Sequence, residues 1–168
     1  MIKKARLFFI MGMVLGLGFS CDSDRPLREA IAEQTFRIGF LEGLIFTLDA
    51  ATHFITGTLS AAEIDVEKEA LRTWENSGIL YLEDVCDSLG VVLDSVLANG
   101  LLGVYRIAFS VGIQEGERYT TENVLGDSEE ELNEQELAKA AFEEYRQDVL
   151  FLIEGIDLER KPPILDTI

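Results

Sequence analysis

Apolar residues recur along the chain in four-three-four-three steps, the spacing of one face of an α-helix. The longest series is Leu27, Ile31, Gln34, Ile38, Leu41, Ile45, Leu48, Thr52 and Ile55. It predicts a helix that starts at Pro26, where a missing N–H costs nothing, and ends near Gly57. Phe36, Phe40, Leu44 and Phe46 widen its apolar face and make it central. Ser60-Ala61-Ala62-Glu63 reads as a capping box opening a second helix that runs to about Asn76, with Ser77-Gly78 as its break. A third helix is predicted from Ile79 to Ala98, striped by Leu82, Val85, Leu89, Val92 and Val96, with Asn99-Gly100 as its stop. Leu101 to Ile113 reads as a short apolar helix, although its Val and Phe leave a strand open. Gln114 to Gly126 reads as a polar loop, with Tyr119-Thr120-Thr121 as a strand alternative. Asp127-Ser128-Glu129-Glu130-Glu131 opens a last helix, placing acids at the positive end of its dipole. Ala138, Phe142, Tyr145, Val149, Leu152 and Ile156 stripe it, and Lys161-Pro162-Pro163 ends it.

Five helical segments with almost no convincing strand predict an all-α fold, a compact bundle of about five helices over residues 27–158. The apolar stripes are too wide for a simple coiled coil. Residues 159–168 are left as a short C-terminal tail. No internal repeat or interdomain linker interrupts the pattern, and 168 residues suffice for one domain with a real core.

The first 20 residues follow a different logic. Lys3, Lys4 and Arg6 precede an uncharged apolar run from Leu7 to Phe19, the length of a signal-peptide core and too short to span a bilayer. Ser20-Cys21 then precedes the charged stretch Asp22-Ser23-Asp24-Arg25. This arrangement resembles the signal peptide and lipobox of bacterial lipoproteins, in which a small residue precedes a cysteine that is acylated and becomes the mature N-terminus. Leu17 lies one place earlier than that family's usual apolar position, and Gly18-Phe19 departs from the common pattern. The resemblance covers residues 1–21 alone. It implies cleavage after residue 20, acylation of Cys21, a tether over residues 21–26 and export to the cell envelope, facing the periplasm or the exterior. Asp22 after the cysteine resembles the inner-membrane retention signal of enteric bacteria.

Charge narrows the function classes. The chain carries 14 basic and 31 acidic side chains, net −17. Removing residues 1–20 removes three bases and no acid, leaving 11 basic against 31 acidic side chains, or −20. Such an excess argues against nucleic acid, since phosphate binding needs the opposite sign. Only Lys68, Lys139 and Lys161 remain against eight Arg, a composition that a salty habitat or solubility explains as well as a basic partner does.

Few residues point to chemistry. One His and two Cys exclude a His-paired or multi-cysteine metal site, and no cofactor is expected. Asp49 and His53 stand one turn apart, as a solvent-facing polar pair. Asp127 to Ala138 mimics a calcium loop but carries Leu132 and Ala138 where such a loop needs Gly and Glu. Glu67, Glu69, Glu143 and Glu144 offer only the chance carboxylate pairs of an acid-rich surface. Asp94 and Arg106 flank Asn99-Gly100 evenly and would meet across a hairpin, or reach water separately. That stretch is apolar enough to raise a membrane hairpin, but each half is too short to span. Gly39 and Gly43 form a small-xxx-small pair that either packs closely against a neighbouring helix or, with Phe36, Phe40 and Phe46, lines an apolar pocket. Cys86 falls on an apolar stripe and is expected to be buried and unreactive.

These readings converge on a non-enzymatic protein-binding or assembly module, held to a membrane by N-terminal acyl chains. The acids Glu129, Glu130, Glu131, Glu134 and Glu136 mark its contact surface for an envelope protein, a basic one if charge guides it. The alternative is a helical carrier of an apolar or lipid ligand.

Overall fold

The computed structural model describes residues 24–55, 65–124 and 133–162, with side chains left out at 51–55, 123 and 124. Five α-helices fill almost all of it: α1 (Arg25–Ile55), α2 (Val66–Thr73), α3 (Ile79–Ser88), α4 (Ser95–Val124) and α5 (Glu134–Ile153). They form four rods. Ser77-Gly78 does not break the chain as expected, because Trp74–Gly78 is a single π-helical turn joining α2 to α3. Ile79 N–H reaches back five residues to the Trp74 carbonyl. The capping box at Ser60 lies outside the described residues, and Asp65 caps α2 instead by accepting from Lys68 N–H at 3.2 Å.

The break falls later than the pattern predicts. Gly90 adopts φ +68°, a left-handed conformation that glycine takes without cost, and turns the chain after α3. Asp94 then caps α4, its Oδ1 accepting from Val96 N–H (2.9 Å) and Leu97 N–H (2.8 Å). Asn99-Gly100, read as a stop, lies inside α4, and the expected loop over Gln114–Gly126 is helical as far as Val124. Asp94 caps the same helix that carries Arg106, so no hairpin brings them together. Packing overrides the local cost of the glycines here. By length and composition Ser95–Glu122 could cross a membrane, but a soluble core helix passes the same test, and α4 is the helix around which the other rods gather.

α1 and α4 run parallel: Gly39 faces Tyr105, Gly43 faces Phe109 and Thr47 faces Gly116. The α2–α3 rod and α5 run antiparallel to both. Phe142 of α5 meets Phe36 at 5.7 Å between ring centres, and Arg146 pairs with Glu29. α5 ends at Ile153, earlier than its stripe predicts, where Gly155 takes φ +80°. The residues beyond it do not trail free. Val92 N–H donates to the Glu159 carbonyl and Lys161 N–H to the Gly90 carbonyl, both at 2.8 Å. Arg160 pairs with Asp24, and Arg28 Nε donates to the Ile156 carbonyl at 2.9 Å. The C-terminal segment therefore ties the start of α1 to the α3–α4 turn.

Cys86 is completely buried in this core. Burial, then the Asp87 carboxylate, pushes its thiol up from about 9 to about 11, with Lys161 pulling the other way. Since the thiolate is the reactive form, alkylation of the folded protein should be negligible over minutes at pH 8 and reach completion in denaturant. Rapid labelling without denaturant would contradict this placement.

Candidate functional site

The buried face of α1 matches the predicted apolar face only in part. It reads Ile31, Ala32, Thr35, Phe36, Gly39, Phe40, Gly43, Leu44 and Thr47, so the expected Ile31, Phe36, Phe40 and Leu44 are buried while Ile45 of the predicted stripe is exposed. Its partner face on α4 carries Ala108, Gly112 and Gly116. A Cβ built on Gly43 would lie 2.2 Å from the Phe109 carbonyl oxygen, and one on Gly112 would lie 2.1 Å from that of Phe40. The two backbones touch. Of the two readings of Gly39 and Gly43, the structure takes close packing. The apolar pocket does not form on this face, because α4 fills it. Phe36 and Phe40 are fully buried among neighbouring side chains, and the partly buried Phe46 stacks at a tilt on Phe109 with ring centres 5.9 Å apart.

Beside this seam lies a polar cluster that the sequence pattern did not single out. Glu42 of α1 receives two hydroxyls: Ser77 of the π turn donates to Oε1 at 2.5 Å, and Tyr105 of α4 donates to Oε2. The π turn makes this meeting possible. One extra residue in the turn brings both Trp74 and Gly78 inward. Trp74 then meets Tyr105 edge-on at 5.2 Å, and Gly78 leaves room for the tyrosine ring, since a Cβ there would lie 3.1 Å from it. π turns are common at functional positions. Here the turn satisfies a carboxylate that reaches in from the neighbouring rod. The available signal was Glu42 itself, the lone charge between Arg37 and Asp49.

Burial, followed by the hydrogen bond to Glu42 and its charge, pushes the Tyr105 hydroxyl far above its ordinary value near 10. Tyr105 and Cys86 thus both stay neutral in the fold where the unfolded chain would ionise. Their contribution is intact below about pH 9 and is lost as pH rises, from about 9 to 11 for Cys86 and from about 10 upward for Tyr105. The thermal midpoint should fall across that range, and Tyr105→Phe should flatten the fall above pH 10. Glu42→Leu, which leaves a buried hydroxyl without its acceptor, should cost about 1–3 kcal/mol, and Tyr105→Phe with Glu42→Leu less than the two singles together. Strict additivity would show that the two side chains do not interact.

The predicted contact surface is described only in part. Glu129, Glu130 and Glu131 lie outside the described residues, as do Cys21 and the side chain of His53. Glu134 and Glu136 occupy the first turn of α5, capped by Asn133, and Glu136 is exposed. The surface they enter is mixed in sign. A shallow groove of about 270 Å³ between α1 and α5 is lined by Glu33, Arg37, Gln135, Glu136, Ala138, Lys139 and Phe142. A second groove of about 410 Å³ runs between α2 and α4, where Arg106 and Glu67 border Val66, Ala70, Ile107 and Val111. Among the described residues no three His, Cys, Asp or Glu gather as a metal-binding group. No family model, curated protein or solved structure matches this chain.

Proposed function

We propose that this protein is a lipid-anchored bacterial envelope lipoprotein whose helical domain binds or positions another envelope protein without catalysing a reaction. The observation that carries the binding role is the closed seam between α1 and α4. Backbone contact at Gly39, Gly43 and Gly112 leaves no room for an acyl chain where the carrier alternative would place one. Recognition then falls to the surface. The start of α5 is its most distinctive part, with Glu134 and Glu136 following Glu129, Glu130 and Glu131 in a chain of net −17. The signal-like segment and Ser20-Cys21 support anchoring and export, with Asp22 favouring the inner membrane.

A dense set of like charges speeds association with a basic partner and loses that effect in salt, because the Debye length is only about 8 Å at physiological ionic strength. The partner is to be captured from native membranes by a photo-crosslinking residue at position 136. Changing the five glutamates to glutamine should then slow its association by about tenfold at low salt and flatten the salt dependence, with helix content unchanged. An unchanged association rate and salt slope would remove this surface from the interface.

A further inference from the structure

Among the described residues Ile45 on α1 and Leu80 and Tyr81 on α3 are exposed large apolar side chains away from the chain's entry point. Val96 (60% exposed), Phe151 (74%) and Leu152 (38%) gather near one end of the bundle. Val96, Gly100 and Gly103 follow one another along one face of α4. Gly100 packs on Ile153 and Ile156, and Gly103 packs on the tip of Leu152. Val96 and Leu152 therefore flank the α4–α5 seam, within about two turns of the α4 start, and Phe151 stands beside Leu152 on the outer face of α5.

That end is also where the chain enters the fold. Asp24 is held by Arg160, and the first turn of α1 is held by the Arg28 bond to the Ile156 carbonyl. Ile156 in turn covers Gly100. Two residues, Asp22 and Ser23, separate Cys21 from Asp24. Three residue steps of at most about 3.5 Å keep Asp24 within about 10 Å of an acylated Cys21. A tether that short does not let the domain swing freely. It presses the Asp24 end of the bundle against the leaflet.

We infer that the apolar patch of Val96, Phe151 and Leu152 rests in the lipid interface, so that the bundle stands on the membrane by its Asp24 end. This rests on the lipid anchoring proposed above. Charge attraction does not drive the contact. Arg25, Arg28, Arg160 and Lys161 lie at this end, but so do Asp24, Asp87, Asp94, Glu154, Asp157 and Glu159. Apolar burial at the high local concentration set by the tether does. α5 is 20 residues long and starts at its other end. Its acidic first turn therefore stands about 30 Å away along the helix, clear of the leaflet and open to a partner.

The test uses full-length protein purified from its own membranes and reconstituted in vesicles of phosphatidylethanolamine and phosphatidylglycerol (3:1). Single cysteines at Phe151→Cys, Val96→Cys and, as the distant control, Glu136→Cys carry an environment-sensitive fluorophore. Cys86 is too deeply buried to take the label. Circular dichroism checks each variant, and mass spectrometry of the N-terminal peptide reads the acyl chains. Quenching by lipids spin-labelled near the headgroup should be at least twofold greater at 151 and 96 than at 136. Acylated protein that floats with the vesicles yet shows no quenching at 151 and 96 would overturn the resting face and leave the anchor standing. Equal quenching at all three positions would overturn the orientation. A disulfide between two copies of the unlabelled Phe151→Cys variant, with no quenching at 151 in the labelled one, would overturn the resting face and assign the patch to self-association. An N-terminus without acyl chains would overturn the anchor, and this inference with it.

Discussion

Gly112→Ala should destabilise the domain by about 3 kcal/mol or more, and Gly112→Leu should leave it unfolded at room temperature. An added Cβ would lie 2.1 Å from the Phe40 carbonyl oxygen and 2.9 Å from the Leu44 amide nitrogen. Both atoms are backbone within a 31-residue helix, so neither can rotate away. The helices must part instead, which would loosen the contact of Phe46 on α1 with Phe109 on α4 (5.9 Å between ring centres). Overpacking a core ordinarily costs about 1–3 kcal/mol, and here the yielding element is a whole rod. Against a total stability of about 5–15 kcal/mol, that is a large share. The loss should appear although alanine favours a helix over glycine by about 1 kcal/mol. Gly103→Ala is the control: its Cβ would meet only the tip of Leu152 at 3.2 Å, so stability should hold or rise slightly. Gly43→Ala should behave like Gly112→Ala, and the pair should cost less than the sum, since parting the helices once relieves both clashes. Urea denaturation of the three single alanine variants and of the pair decides this. Equal stability of Gly103→Ala and Gly112→Ala would contradict direct backbone contact between α1 and α4.

Cys21→Ser should abolish acylation entirely. The proposed processing acylates the cysteine before cleavage, so a serine there should leave residues 1–20 attached and take up no radioactive palmitate. One acyl chain binds a bilayer with an association constant of only about 10⁴ M⁻¹, and two chains or more are needed to hold stably. The patch of Val96, Phe151 and Leu152 is too small to replace them. A Cys21→Ser domain released by removing residues 1–20 should stay in solution beside vesicles that retain the wild-type protein. Palmitate labelling that survives the change would refute the proposed anchor.

The same physics explains how far the sequence could be read. The all-α class, the extent of α1 and the burial of Cys86 were legible, because each depends on local spacing of apolar residues, and such spacing survives in any packed fold. Boundaries were less so. Asn99-Gly100 looks like a stop because glycine weakens a helix, but Gly100 is covered by Ile153 and Ile156, and that packing outweighs the local cost. Gly90 looks no different in the sequence, yet it is the residue that turns the chain.

The core face of α1 was legible only in part, at Ile31, Phe36, Phe40 and Leu44, for a related reason. A search for large apolar residues finds Ile38, Leu41 and Ile45, whereas the face that packs is built partly of Gly39, Gly43 and Thr47. Smallness reads as neutral until a second backbone arrives to use it. The sequence alone determined that the chain is helical, strongly acidic and preceded by a signal-like segment, since composition and periodicity carry those properties residue by residue. Only the tertiary structure decided that α1 and α4 touch along their glycines, that Glu42 meets Ser77 and Tyr105 across three rods, and that the C-terminal segment closes over Asp24. Each of these joins residues distant in the chain, and no local pattern records which distant residue will fill a gap or accept a proton.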